Sequence, residues 1–223
     1  MPNWVYNGLT AQGPKESVEK MKAQLNTPFT RVHDNWNMET RQMEFKLSKY
    51  PNPVFAFWNI IKPTDLEAYN KQPDWSNGVT NEGNDWYAWN LRNWGTKWDV
   101  AVSSEDKHPD TYMEETEDEW TSSVFYNFNT AWGVADKALS NLSSQYPDIL
   151  FTLSYEEETG WGGECEYLRG ETISNVQYDN ICRECDTMDT LLYCEDCEND
   201  VCSFCGFGTS EEGCAEHKVE ANA

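Results

Sequence analysis

The 223 residues carry 39 Asp and Glu against 16 Lys and Arg, a formal charge of −23. Phosphate backbones are bound through Lys and Arg that displace counterions, so this balance argues against direct nucleic-acid binding. No apolar run approaches the length that spans a bilayer. With 39% hydrophobic and 14% aromatic residues, the length suits one medium domain with a real core plus a small second one.

Asn3 to Gln12 mixes Trp4, Val5, Tyr6 and Leu9 and ends at Gly13-Pro14, which reads as a strand followed by a helix start. From Lys15 to Leu25, Val18, Met21 and Leu25 share one helical face and are expected in the core. Asn26 to Tyr50 is polar, with a helical stretch expected at Met38 to Leu47. Pro53 to Ile61 is dense in Val54, Phe55, Phe57, Trp58 and Ile60, which predicts a central strand covered on both faces. Pro63 to Tyr69 reads as a short helix and Gln72 to Asn84 as a loop. Asp85 to Asn93 predicts a helix stopped at Gly95, with a strand from Lys97 to Val102. His108 to Glu119 reads as an acidic loop.

Trp120 to Asn129 alternates cleanly, placing Val124, Tyr126 and Phe128 on one side. After Trp132-Gly133 a helix follows, with Val134, Ala138, Leu139 and Leu142 on one face and Pro147 as its end. Ile149 to Glu156 alternates again. A Gly160-Trp161-Gly162-Gly163 turn leads to a strand from Glu164 to Leu168, continued at Ile173 to Tyr178. The order is β-α-β, an insertion, then β-α-β-β. It predicts an α+β fold, a ferredoxin-like antiparallel sheet with helices and extra elements. Cys165, within the last strand run, is expected to be a small buried residue.

All 11 tryptophans lie between Trp4 and Trp161, and the segment beyond Asp179 has little apolar material. This places a boundary near Tyr178: an α+β domain over 1–178 and a small module over 179–223. That module contains four ligand pairs, Cys182/Cys185, Cys194/Cys197, Cys202/Cys205 and Cys214/His217, each with two residues between partners. Two residues between ligands let both reach one metal from a tight turn, and tetrahedral zinc needs two such turns. Eight ligands predict two structural zinc ions. A disulfide framework fits poorly, because His217 holds a ligand position and seven cysteines cannot pair among themselves. Met1 to Ala11 lacks the basic start and apolar segment of a secretory signal, and clustered cysteines in a reducing compartment read as metal ligands.

The linkers between the pairs are eight, four and eight residues, and this pattern resembles the cross-brace zinc modules of the B-box and RING group. The resemblance implies interleaving, with Cys182, Cys185, Cys202 and Cys205 on one ion and Cys194, Cys197, Cys214 and His217 on the other. The sequential pairing, Cys182 to Cys197 and Cys202 to His217, remains open.

A second resemblance covers roughly residues 1 to 170. The segments Asn93-Trp94-Gly95-Thr96-Lys97-Trp98-Asp99, Phe128-Asn129-Thr130-Ala131-Trp132 and Leu153-Ser154-Tyr155-Glu156-Glu157, with Gly160 to Gly163 and the opening Met1-Pro2-Asn3-Trp4, are similar to the YubB-like family. That family belongs to plasmids and bacteriophages and has a ferredoxin-like domain. The resemblance implies a phage or plasmid accessory protein acting in the bacterial cytoplasm, and it supplies no catalytic residues.

Three functional readings follow. The first is a non-enzymatic protein that binds a macromolecule, a protein partner with a basic groove, as an acidic inhibitor of a host nucleic-acid-binding or defence protein. The second is a nucleotide-like ligand held in a Trp-rich cleft, with Trp94, Trp98, Asp99, Asn129, Trp132, Glu156 and Trp161 as its surface; core packing is the simpler role for such rings. The third is a metal-assisted hydrolase using Asp99, Glu156, Glu157, Glu158 and Glu164, against which stands the plain role of a solvated Glu run beside a Gly-rich turn.

Overall fold

A computed structural model describes residues 3–73, 83–101, 111–118, 121–179, 191–194 and 199–202. The chain opens with strand β1 (Trp4–Pro14) and helix α1 (Lys15–Leu25). A hairpin, β2 (Phe29–Asn37) and β3 (Gln42–Tyr50), follows. Next come a 3-10 turn (Phe57–Asn59) and helices α2 (Leu66–Tyr69) and α3 (Trp86–Asn93). Strands β4 (Tyr112–Glu117) and β5 (Thr121–Ala131) lead into helix α4 (Asp136–Gln145). Strands β6 (Leu150–Glu157), β7 (Trp161–Leu168) and β8 (Glu171–Asp179) complete the main sheet, and a hairpin of β9 (Leu191–Cys194) and β10 (Asn199–Cys202) lies beyond it.

The six-stranded sheet has the order β4-β5-β1-β6-β7-β8, antiparallel throughout. Its β1-α1-β4-β5-α4-β6 portion is the ferredoxin-like unit, with the opening strand at the centre and β7-β8 added on one edge. Alternation sorts the residues between faces. Val5, Leu9 and Ala11 of β1, Val124, Tyr126 and Phe128 of β5, and Phe151, Leu153 and Tyr155 of β6 are buried. They form one core with Val18, Met21 and Leu25 of α1 and Ala138, Leu139 and Leu142 of α4. Cys165 is buried on this inner face as a free thiol, and burial pushes its pKa up.

Five elements differ from the sequence reading. Met38 to Leu47 is not helical but the tip and second arm of the β2-β3 hairpin. Asn37 turns the chain there by accepting from the backbone N–H groups of Glu39 (2.9 Å) and Thr40 (3.1 Å). Pro53 to Ile61 forms no strand; it crosses the inner face as an irregular segment. Phe55 stacks on Phe128 (5.0 Å between centroids), and Phe57 meets the same ring edge-on. Its apolar density reflects burial beside α1 and against β5, which periodicity alone does not distinguish from a central strand.

Lys97 to Ala101 is likewise irregular, while the predicted acidic loop contains β4. Charged side chains suit an edge strand. Within it Glu115 turns inward to pair with Lys22 of α1 at 2.7 Å. Finally, β8 is not a continuation of β7 but its hairpin partner. Arg169 and Gly170 both take positive φ (55° and 84°), the two-residue turn that matches strand twist.

Candidate functional site

The most distinctive surface is the outer face of the sheet, opposite the helices. Trp4 and Tyr6 alternate with buried Val5 and so point outward. Asn129 and Glu156 flank Tyr6 as its cross-strand partners. Glu114, Glu164 and Glu166 share this face at positions set by the same register. None of the six strands contains a lysine or arginine.

Lys97 reaches the aromatic end of this face from the loop after α3. Asp85 caps α3 by accepting from the backbone N–H groups of Tyr87 and Ala88. Gly95 ends the helix region with φ +86°; a Cβ there would lie 2.3 Å from an Asp136 carboxylate oxygen. Thr96 donates through Oγ1 to the Ala131 carbonyl (3.0 Å), and Asn90 Nδ2 donates to the Lys97 carbonyl (2.7 Å). These bonds fix the loop against the end of β5 and against α3. Lys97 Nζ then lies 4.4 Å from the Trp98 ring centre, 4.5 Å from that of Trp132 and 5.6 Å from that of Tyr87. Trp98 in turn leans on Trp4, 6.0 Å between centroids. Tyr6, Trp98 and Trp132 remain 50%, 37% and 47% exposed, which is unusual for rings this large.

Trp132 has φ +65°, a left-handed backbone that bulky side chains rarely adopt. Its N–H donates to the Asn3 carbonyl (2.9 Å), tying the strained residue to the start of the chain. Because glycine tolerates this conformation, Trp132→Gly is expected to be more stable than Trp132→Ala by about 1 kcal/mol, measured by denaturant unfolding. Equal stability would show that the backbone at 132 relaxes freely.

Of the residues singled out in the sequence, Trp98, Asn129, Trp132 and Glu156 gather at this end of the outer face. Trp94, Asp99 and Trp161 do not. Trp94 is fully buried, its indole N–H donating to the Ile61 carbonyl. Trp161 packs on Tyr155 of the inner face (5.9 Å). Asp99 accepts from the backbone N–H groups of Phe57 (2.8 Å), Trp58 (3.1 Å) and Ala101 (3.2 Å), and lies 3.5 Å from the Arg31 guanidinium. Trp4, Tyr6 and Lys97 escaped the sequence reading; strict alternation with Val5 was the signal for the first two.

The clustered carboxylates are likewise dispersed. Glu157 is buried on the inner side of β6, held by the hydroxyl and N–H of Thr159. Burial raises its pKa, but hydrogen bonds from Thr159 and Asn3 outweigh this and leave it lowered. Glu156 and Glu158 are exposed. Among the described residues no three His, Cys, Asp or Glu side chains gather as metal ligands. Cys182, Cys185, Cys197, Cys205, Cys214 and His217 lie outside the described residues. Cys194 and Cys202 end β9 and β10, and their register places them at opposite ends of that hairpin.

Sheet order, helix placement and strand register together define a ferredoxin-like α+β protein. Residues 97–195 match the family model described as the ferredoxin-like domain in Api92-like protein. The fold also resembles the crystal structure of protein api92 from Yersinia pseudotuberculosis, at 10% identity and a TM-score of 0.50, over 80% of this chain and 98% of that one. No curated protein matches the sequence. No described helix is long and apolar enough to cross a membrane.

Proposed function

We propose that this is a non-enzymatic binding protein whose outer sheet face docks a protein partner through a basic groove. The observation that carries this is a sheet of six strands without one lysine or arginine. Its open side combines Glu114, Glu156, Glu164 and Glu166 with half-exposed Tyr6, Trp98 and Trp132. Tryptophan and tyrosine are favoured interface anchors, while a one-signed field speeds encounter with a partner of opposite charge. Asp99 and Glu157 are committed to backbone hydrogen bonds, which supports binding over carboxylate chemistry. The YubB-like resemblance supports a phage or plasmid accessory role inside a bacterium, where such a surface would occupy a host nucleic-acid-binding or defence protein.

The test compares two charge-reversed proteins of equal net charge. One carries Glu114, Glu156, Glu164 and Glu166 as lysine; the other carries Glu16, Glu39, Glu44 and Glu67 as lysine. Pull-down from bacterial lysate at low and high salt identifies the partner, and association kinetics follow. The outer-face variant is expected to slow the on-rate by about 10- to 100-fold, with the control near wild type. Equal loss in both would reduce the effect to net charge and remove the face from the reading.

For the segment beyond β8 the reading is a structural module with two zinc ions held by the four ligand pairs. Cys194 and Cys202 are separated by about 10 Å along the β9-β10 ladder at roughly 3.3 Å per residue. Zinc–sulfur bonds are only about 2.3 Å long. This supports giving the two cysteines to different ions, as both the interleaved and the sequential pairing do.

A further inference from the structure

We propose that Tyr87, Trp98 and Trp132 form an aromatic cage for an organic cation, filled here by the chain's own Lys97. In the docked state it would accept a lysine side chain of the basic partner. The proposal rests on the partner reading above and specifies what that partner inserts.

The geometry is that of a cation site. An ammonium lies within 6 Å of three ring centres, the range in which the negative ring faces attract it. Tyr87 and Trp132 meet at 68° with centroids 6.5 Å apart, so they form adjoining walls. Trp4 supports Trp98 from behind. The hydrogen bonds of Thr96 and Asn90 hold the loop backbone, so withdrawing the Lys97 side chain does not require the walls to move. Trp132 is kept in a left-handed conformation at the one point where its ring completes the cage. Such strain persists only where surrounding contacts enforce it, and it clusters at ligand sites. The outer face supplies the complementary charge: Glu156 lies across from Tyr6 at the same end of the sheet. An incoming cation is therefore drawn toward the cage, where it competes with the tethered ammonium.

Tethering gives Lys97 a high effective concentration, so an external cation competes poorly until that side chain is shortened. The probe is tetramethylammonium chloride, followed by calorimetry and by the indole N–H resonances. Lys97→Ala is expected to bind it at least tenfold more tightly than wild type. Lys97→Met, which refills the cage without charge, should show no gain. Adding Trp132→Ala to Lys97→Ala should abolish binding; Lys97→Ser repeats the test if the alanine variant is poorly folded. A folded Lys97→Ala protein that binds no better than wild type would overturn the cage. Retained binding in the double variant would do the same. If the cage binds the probe but Lys97→Ala does not strengthen retention of the captured partner, the partner-lysine assignment fails. Charge reversal on the sheet reads the docking face independently of the probe titration.

Discussion

Protein made in bacterial cells is expected to carry two zinc ions per chain. Their removal should unfold the segment after Asp179 while the domain before it stays folded. The segment is acidic, with only Arg183 and Lys218 as bases, and has little apolar material in its sequence, so on this reading metal takes the place of a core. Structural zinc contributes about 10–16 kcal/mol of apparent binding energy in modules of this kind, more than such a segment obtains from apolar burial. Metal analysis should return two equivalents, falling to one on Cys202→Ser or Cys194→Ser if the sites are independent. The main domain's unfolding transition should survive both substitutions. A metal-free protein, or one with a single ion, would refute the two-site reading.

A second large effect is expected at Asp99, for reasons of stability rather than binding. Its side chain is 3% exposed and close to the Arg31 guanidinium. It also satisfies three backbone N–H groups that no strand ladder serves. Asp99→Ala removes the carboxylate from all of these, at a cost of about 3–5 kcal/mol. For a chain this size that is roughly 10 °C or more in Tm. Asp99→Asn keeps part of the acceptor set and should cost about 1–2 kcal/mol. Thermal and urea unfolding decide the matter. A loss below about 1 kcal/mol in the alanine variant would mean that Phe57 and Trp58 find other acceptors.

These two predictions draw on opposite sides of what a sequence displays. The four ligand pairs stand out in the sequence because zinc coordination favours a two-residue spacing whatever the surrounding fold. Asp99 was visible only as a carboxylate beside a conspicuous Trp block, while the backbone groups it holds at Phe57 and Trp58 lie about forty residues away. The same division runs through the fold. Strands β1, β5 and β6 were legible because one face is buried and the other open, which writes a period of two into the chain. Helix α1 was legible through Val18, Met21 and Leu25. Pro53 to Ile61 misled because a segment packed beside α1 and against β5 is densely apolar without making a ladder. Strand β4 was hidden because an edge strand tolerates Glu114 and Glu115 as readily as a loop does. At the candidate site, Trp98 and Trp132 were noticed by residue type. Their meeting around Lys97 depends on hydrogen bonds from Thr96 and Asn90 that leave no periodic trace.

The central position of β1 has a consequence for synthesis. Trp4 to Pro14 leaves the ribosome before its neighbours β5 and β6, with Val5 opposite Thr130 on one side and Glu157 on the other. At about 5–20 residues per second, roughly 7–30 s pass before both partners exist. Throughout that interval the strand and the aromatic insertion behind it have no sheet to join. Such non-local pairing slows folding and leaves apolar segments exposed to aggregation. A fragment begun at residue 97, where the family match starts, would contain β5 and β6 but not the strand that joins them. Recombinant production therefore depends on including β1 and on chaperone capacity during translation.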